Sequence, residues 1–113
     1  MDIDADKLLA ESVRELLRTS FLNHRCLTAQ RCADALGMSV RNMQRRLSTI
    51  DLTFSTLLDE VRFDLAKGQL LHSSNTIDEI ARTLGFSTQE SFIRSFHRWS
   101  GVSLGEFRRQ GHV

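Results

Sequence analysis

The pattern Ala-x-x-Leu-Gly is written twice in this chain, at 33–37 and again at 81–85, within the phrases "ALGMS" (35–39) and "TLGFS" (83–87). The match is longer than the phrase. Aligning Thr28 with Thr76 brings Ala33 onto Ala81, Leu36 onto Leu84, Gly37 onto Gly85 and Ser39 onto Ser87. After the serine the second copy gains one residue, and Met43, Arg45 and Leu47 then meet Phe92, Arg94 and Phe96. An alanine lets two helices cross closely, a glycine takes positive φ in the turn, and Met38 or Phe86 pins that turn to a core. The duplication thus confines the chain to two copies of one helix, turn and helix.

The rest of the chain reads as helix too. There is no proline, and glycine is sparse and mostly placed at turns. From Ile3 to Phe21, apolar residues at Leu8, Leu9, Val13, Leu16, Leu17 and Phe21 follow a helical period. Thr28 opens a short helix that stops at Gly37, and Ser39 caps the next one through Met43 to Leu47. Thr53 or Ser55 starts a longer helix with Phe54, Leu57, Leu58, Val61, Leu65, Leu70 and Leu71 facing a core. At the α-helical rise, Phe54 to Leu71 spans roughly 27 Å. "TIDE" at 76–79 and "STQE" at 87–90 read as capping boxes, with Thr76 and Ser87 as caps closed by Glu79 and Glu90. "SLGE" at 103–106 begins a last short helix. The expected fold class is all-α, seven helices forming two helix-turn-helix subdomains (28–49 and 76–99) joined by a linker helix over 53–72, within one domain of 113 residues.

Charge is segregated along the chain. Net charge is only +1, yet residues 25–50 carry Arg25, Arg31, Arg41, Arg45 and Arg46 against Asp34. Residues 51–66 carry Asp51, Asp59, Glu60 and Asp64 against Arg62. One surface can therefore be strongly positive on a nearly neutral molecule, as nucleic-acid binding requires. Cys26 and Cys32, six apart with no partner pair, give neither a zinc site nor a disulfide framework, and Cys32 reads as core. No apolar run approaches a membrane span, so a cytoplasmic chain is expected. With no nucleophile–base pair, no metal-ligand spacing and no phosphate loop, neither an enzyme nor a cofactor is expected.

"IDEIARTLGFSTQESFIRSFHRWSGVSLGEFRRQ" at 77–110 resembles the signature of the AraC/XylS transcription regulators, an I-A-x-x-x-G-F stretch followed by F-x-x-x-F and G-x-S-P-x-x-Y-R. "GMSVRNMQRRL" at 37–47 and "FSTLLDEVRFDLAKGQLL" at 54–71 are similar to that family's first motif and linker helix. The resemblance covers roughly residues 5–110. Leu104 stands where the family usually has proline, and Phe107 where tyrosine is common. What the resemblance implies is a bipartite reader of double-stranded DNA, with two recognition helices in successive major grooves of a site about two turns long. Family members usually carry such a domain at the C-terminus of a longer chain with an effector-binding or dimerising domain, so these 113 residues are expected to be a fragment of such a parent, the alternative being a stand-alone short member. RNA polymerase is a candidate partner for the acidic 51–66 segment. The operator, the effector and the sign of regulation are not legible.

Candidate base readers on the first recognition helix are Arg41, Asn42, Gln44 and Arg45, opposite Met43 and Leu47. Arginine bonds bidentately to guanine, and Asn or Gln to adenine. On the second helix the outward set is Gln89, Glu90, Ser91 and Arg94. The family likeness points especially to Arg41, Gln44, Arg45, Gln89 and Arg94. Candidate phosphate contacts are Ser39, Ser87 and Thr88 at helix N-termini, with Arg46, His97 and Arg98. Phe92, Phe96, Trp99 and Phe107 have the spacing of a core rather than of a stacking platform. The alternative is a helical protein-interaction module whose polar second helices bind a partner protein without reading bases.

Overall fold

The computed structural model describes residues 3–110. Seven α-helices follow in order: α1 Ile3–Leu22, α2 Ala29–Ala35, α3 Val40–Ser48, α4 Phe54–His72, α5 Ile77–Thr83, α6 Gln89–Ser100 and α7 Leu104–Gln110. There is no strand among the described residues. The chain forms two compact units, and the division falls inside α4, between Val61 and Arg62.

In the first unit α1, α2 and α3 pack against one another. The buried side chains are Leu9, Val13, Leu17 and Phe21 of α1, Cys32 and Ala33 of α2, Met43 and Leu47 of α3, and Leu57 and Val61 from the start of α4. Their spacing of three or four residues is the stripe a helix needs to bury one face. Each fully buried Leu or Phe stabilises the unit by about 1.5–3 kcal/mol relative to an exposed one. The α1 stripe is narrower than the sequence pattern, because Leu8 is exposed and Leu16 only half-buried. Cys32 is the small core residue expected, and burial pushes its thiol pKa up. Cys26 is exposed.

The second unit is built on aromatics. Ala66, Leu70, Ile80, Ala81, Leu84, Phe92, Phe96 and Leu104 form its buried cluster, with Phe63, Phe86, Trp99 and Phe107 packed around it. The rings of Phe96 and Phe107 meet edge to face at 5.3 Å, and those of Phe63 and Phe96 at 5.6 Å, arrangements that suit the ring quadrupoles. Leu104 and Phe107 thus hold α7 in place despite departing from the family's proline and tyrosine. Arg108 adds to this docking, donating from Nε to the Leu70 carbonyl at 3.0 Å and from Nη2 to that of Asn75 at 3.2 Å.

The two turns are built alike. Gly37 N–H donates to the Asp34 carbonyl and Met38 N–H to that of Ala33, at 3.1 and 3.0 Å. Gly85 and Phe86 repeat both bonds, to Arg82 and Ala81, at the same distances. This is the Schellman arrangement, and it demands positive φ, which Gly37 and Gly85 adopt at 70° and 80°. In the second unit the turn is further tied down by Arg62, which donates from Nε to the Leu84 carbonyl at 2.9 Å and lies over the Phe86 ring at 4.6 Å.

Helix starts follow the sequence with one correction. Thr28, Ser39 and Thr76 each accept, through the side-chain hydroxyl, the amide N–H three residues on. Thr53 does the same for α4, and Thr56 Oγ1 accepts from Thr53 N–H in return. For α6 the cap is Thr88, not Ser87: Thr88 Oγ1 accepts from Ser91 N–H at 3.1 Å. Glu90 therefore stands one residue short of the position that closes a capping box, and its carboxylate is not engaged there. The residue gained in the second copy falls before the helix rather than after its first serine.

Candidate nucleic-acid interface

On α3 the core residues Met43 and Leu47 leave one face of the helix outside. Arg41, Gln44 and Arg45 are exposed on it, and Asn42 is half-buried at its edge. No acidic residue occurs in α3. Ser39 fixes the start of the helix by accepting from Asn42 N–H at 3.0 Å. The Asn42 Oδ1 atom accepts from Arg45 Nη2 at 2.6 Å, so the side chain of Asn42 positions the Arg45 guanidinium. Arg41 and Gln44 have no side-chain partner among the described residues.

Arg46, a candidate phosphate contact, is engaged with α1. Its Nε donates to Asp6 Oδ1 at 2.8 Å and its Nη2 to the Ala5 carbonyl at 3.1 Å. Asp6 is the one buried charged residue among those described, and its second oxygen accepts from Thr49 Oγ1 at 2.7 Å. The hydrogen bonds from Arg46 and Thr49 hold the Asp6 carboxyl below the usual carboxylate range. A guanidinium committed to a buried carboxylate stabilises the packing of α1 against α3.

On α6 the buried residues are Phe92 and Phe96, the same four-residue step as Met43 and Leu47. Gln89, Glu90, Arg94, His97 and Arg98 are exposed, while Ser91 is half-buried beneath the cap. Among the described residues no side chain pairs with the guanidinium of Arg94 or Arg98. Ser87 is exposed and relieved of capping. Ile93, between the buried Phe92 and the exposed Arg94, also belongs to this face, with 39% of its surface reaching solvent. The alignment that sets Met43 on Phe92 and Arg45 on Arg94 puts Ile93 opposite Gln44.

Each unit is thus a short helix, a glycine turn and a second helix whose core side is apolar and whose outer side carries uncommitted amide and guanidinium groups. That is a helix-turn-helix protein, with the motif present twice. Residues 32–110 match the helix-turn-helix domain family, AraC type, and the chain belongs to it. The HTH-type transcriptional regulator VqsM of Pseudomonas aeruginosa is 39% identical over 80 residues, covering 71% of this chain and 25% of that protein. The HTH-type transcriptional regulator VirS of Mycobacterium tuberculosis is 32% identical over 111 residues, 98% of this chain and 32% of that protein. The chain therefore spans about a quarter to a third of these curated relatives. Among solved structures, the DNA-binding domain of AdpA, a global transcriptional factor solved in complex with a target DNA, superposes with a TM-score of 0.72 at 26% identity, covering 90% of each chain.

No metal-holding group of three or more His, Cys, Asp or Glu side chains occurs among the described residues. No helix there is long and apolar enough to cross a membrane.

Proposed function

We propose that this chain is the DNA-reading part of a bacterial transcription regulator, binding double-stranded DNA sequence-specifically with α3 and α6 in successive major grooves. The observation that carries the reading is the repeated motif: both second helices bury a matching apolar pair, expose polar and cationic side chains on the opposite face, and set an exposed arginine, Arg45 or Arg94, at the same position. Likeness to a domain solved on its target DNA supports it. The bipartite site rests on the duplication and on the length of α4, whose 19 residues rise roughly 28 Å. Helix-turn-helix half-sites lie about 34–36 Å apart along one turn of DNA, a span that such a connector suits once the width of two helices is added.

In this reading Arg41, Gln44, Arg45, Gln89, Glu90 and Arg94 meet base edges, and Asn42 and Ser91 support them from the helix margins. Ser39, Ser87, Thr88, His97 and Arg98 approach phosphate. A further effector-binding or dimerising domain belongs to the longer regulator, acting in the cytoplasm where bacterial DNA lies. An RNA polymerase contact through the acidic stretch would fall to Asp51 and Asp59, since Glu60 pairs with Arg14 and Asp64 with Lys67.

Selection of bound duplexes from a random DNA pool tests the reading. Two boxes about one helical turn apart are expected, with affinity falling steeply as salt rises. A single short box would confine base reading to one helix. Failure to retain any duplex in a salt-dependent way would overturn the proposal and favour the protein-interaction module.

A further inference from the structure

The second reading helix carries an apolar residue on its free face, and the internal symmetry says what it faces. Among the described residues, the exposed large apolar side chains are Ile3, Leu8 and Leu22, all on α1, and Ile93 on α6. Scattered surface hydrophobics need no explanation by themselves. Ile93 is different because of its register. The caps Ser39 and Thr88, the buried pair Met43 and Phe92, and the buried pair Leu47 and Phe96 superimpose α3 on α6 residue for residue. In that register Arg45 corresponds to Arg94, Arg41 to Glu90, and Gln44 to Ile93. The position that holds an amide reader in the first unit holds a branched hydrocarbon in the second.

We propose that Ile93 reads a thymine through its C5-methyl group; this rests on the DNA-binding function proposed above. In the major groove the four base pairs differ by donors, by acceptors and by one apolar group, the thymine methyl. An isoleucine offers neither donor nor acceptor. Set against a cytosine or adenine amino group it would strip water from a polar atom and give nothing back. Set against the methyl it removes two apolar surfaces from water. As a β-branched residue in a helix, Ile93 has its χ1 rotamer largely fixed, so it meets the base pre-ordered. Glu90 and Gln89 lie one turn earlier on the same side, and His97 one turn later. Ile93 thus sits between polar readers as the apolar element of the face. The two heads then differ in kind: Gln44 selects by hydrogen bonding, Ile93 by shape and hydrophobicity.

The test replaces, one at a time, each thymine of a selected duplex by deoxyuridine, which removes the methyl and nothing else. For the wild-type chain one thymine in the second box should lose roughly fourfold in affinity, the worth of one buried methyl group. The Ile93→Ala chain should bind more weakly, and the same replacement should then change its affinity less than twofold. An Ile93→Gln chain, carrying the first unit's residue, should shift the selected base at that pair from thymine to adenine. If wild type and Ile93→Ala respond identically to every methyl removal, while Arg94→Ala still loses the site, Ile93 does not read thymine although the domain reads DNA. If no duplex is selected at all, both proposals fall together.

Discussion

Asp6 and Arg46, forty residues apart, form a part-buried clasp between α1 and α3. The carboxylate is 5% exposed and accepts from Arg46 Nε at 2.8 Å. Removing one partner of such a pair leaves the other without its hydrogen bonds in a site with little water. Asp6→Asn is therefore expected to lower the melting temperature of the chain, and Arg46→Ala to do likewise. Neither change should flatten the salt dependence of DNA binding, since Arg46 is not counted among the phosphate contacts. Thermal unfolding and binding measured across a salt series would separate the two effects. A flattened salt slope with unchanged stability would return Arg46 to the phosphates.

The same clasp predicts a pH dependence. Hydrogen bonds from Arg46, then Thr49, depress the Asp6 pKa below its ordinary 3.8. A carboxylate with a depressed pKa in the folded state stabilises it fully above the ordinary value and loses that contribution as pH falls through the lower, folded one. The stability difference between wild type and Asp6→Asn should hold steady from pH 7 to about pH 5 and narrow below about pH 4. Denaturant unfolding at a series of pH values measures this. A difference that widened in acid would mean that Asp6 is protonated in the folded chain.

Two glycines should respond to alanine with opposite signs. Gly37 has open space around a would-be Cβ, but its φ of +70° places that carbon in the left-handed region. Gly37→Ala is expected to destabilise the first unit by about 1–2 kcal/mol. Gly68 lies inside α4 at helical φ, also with open space around a Cβ. Gly68→Ala should stabilise by about 0.5–1 kcal/mol, because glycine has more freedom to lose on folding. Urea titration of both variants is sufficient, and a destabilised Gly68→Ala would show that α4 bends or packs at that residue.

How much of this was legible depended on how local the cause is. Thr28, Ser39, Thr76 and the glycines 37 and 85 act within a few residues of themselves, so caps and turns were readable from spacing alone. The α6 cap was misplaced by one because Ser87 and Thr88 are adjacent hydroxyls and both satisfy a short pattern. What selects Thr88 is the burial of Phe92, four residues on, as Met43 lies four beyond Ser39. The Asp6–Arg46 pair left no local trace, since nothing within a helical turn of either residue announces a partner forty positions away. Ile93 drew no reading as a surface residue, because an apolar side chain beside Phe92 in a helix with three aromatics does not by itself mark the edge of the buried face.

The α6 start offers a clean separation of capping from phosphate contact. Thr88→Ala removes the bond to Ser91 N–H and should cost about 1 kcal/mol of stability. Ser87→Ala should leave stability within roughly 0.5 kcal/mol, as surface changes do. If Ser87 meets phosphate, that variant should nevertheless bind all duplexes somewhat more weakly. Unchanged binding would remove Ser87 from the interface, while a large stability loss would put the cap back one residue.

If Arg45 and Arg94 read bases as proposed, the two should differ in how they fail. Arg45→Ala and Arg94→Ala are each expected to lose about 1–3 kcal/mol on the cognate duplex and much less on unrelated sequences. Arg45, however, is steered by Asn42, whereas Arg94 has no such partner among the described residues. Asn42→Ala should therefore weaken cognate binding only where Arg45 is present, and the double variant should be no worse than Arg45→Ala alone. That non-additivity is the mark of two side chains acting as a unit. Additive losses in such a double-mutant cycle would mean that Asn42 meets the DNA on its own account, as a reader in its own right. Arg98→Ala supplies the contrast: it should weaken every duplex alike and reduce the salt slope by about one.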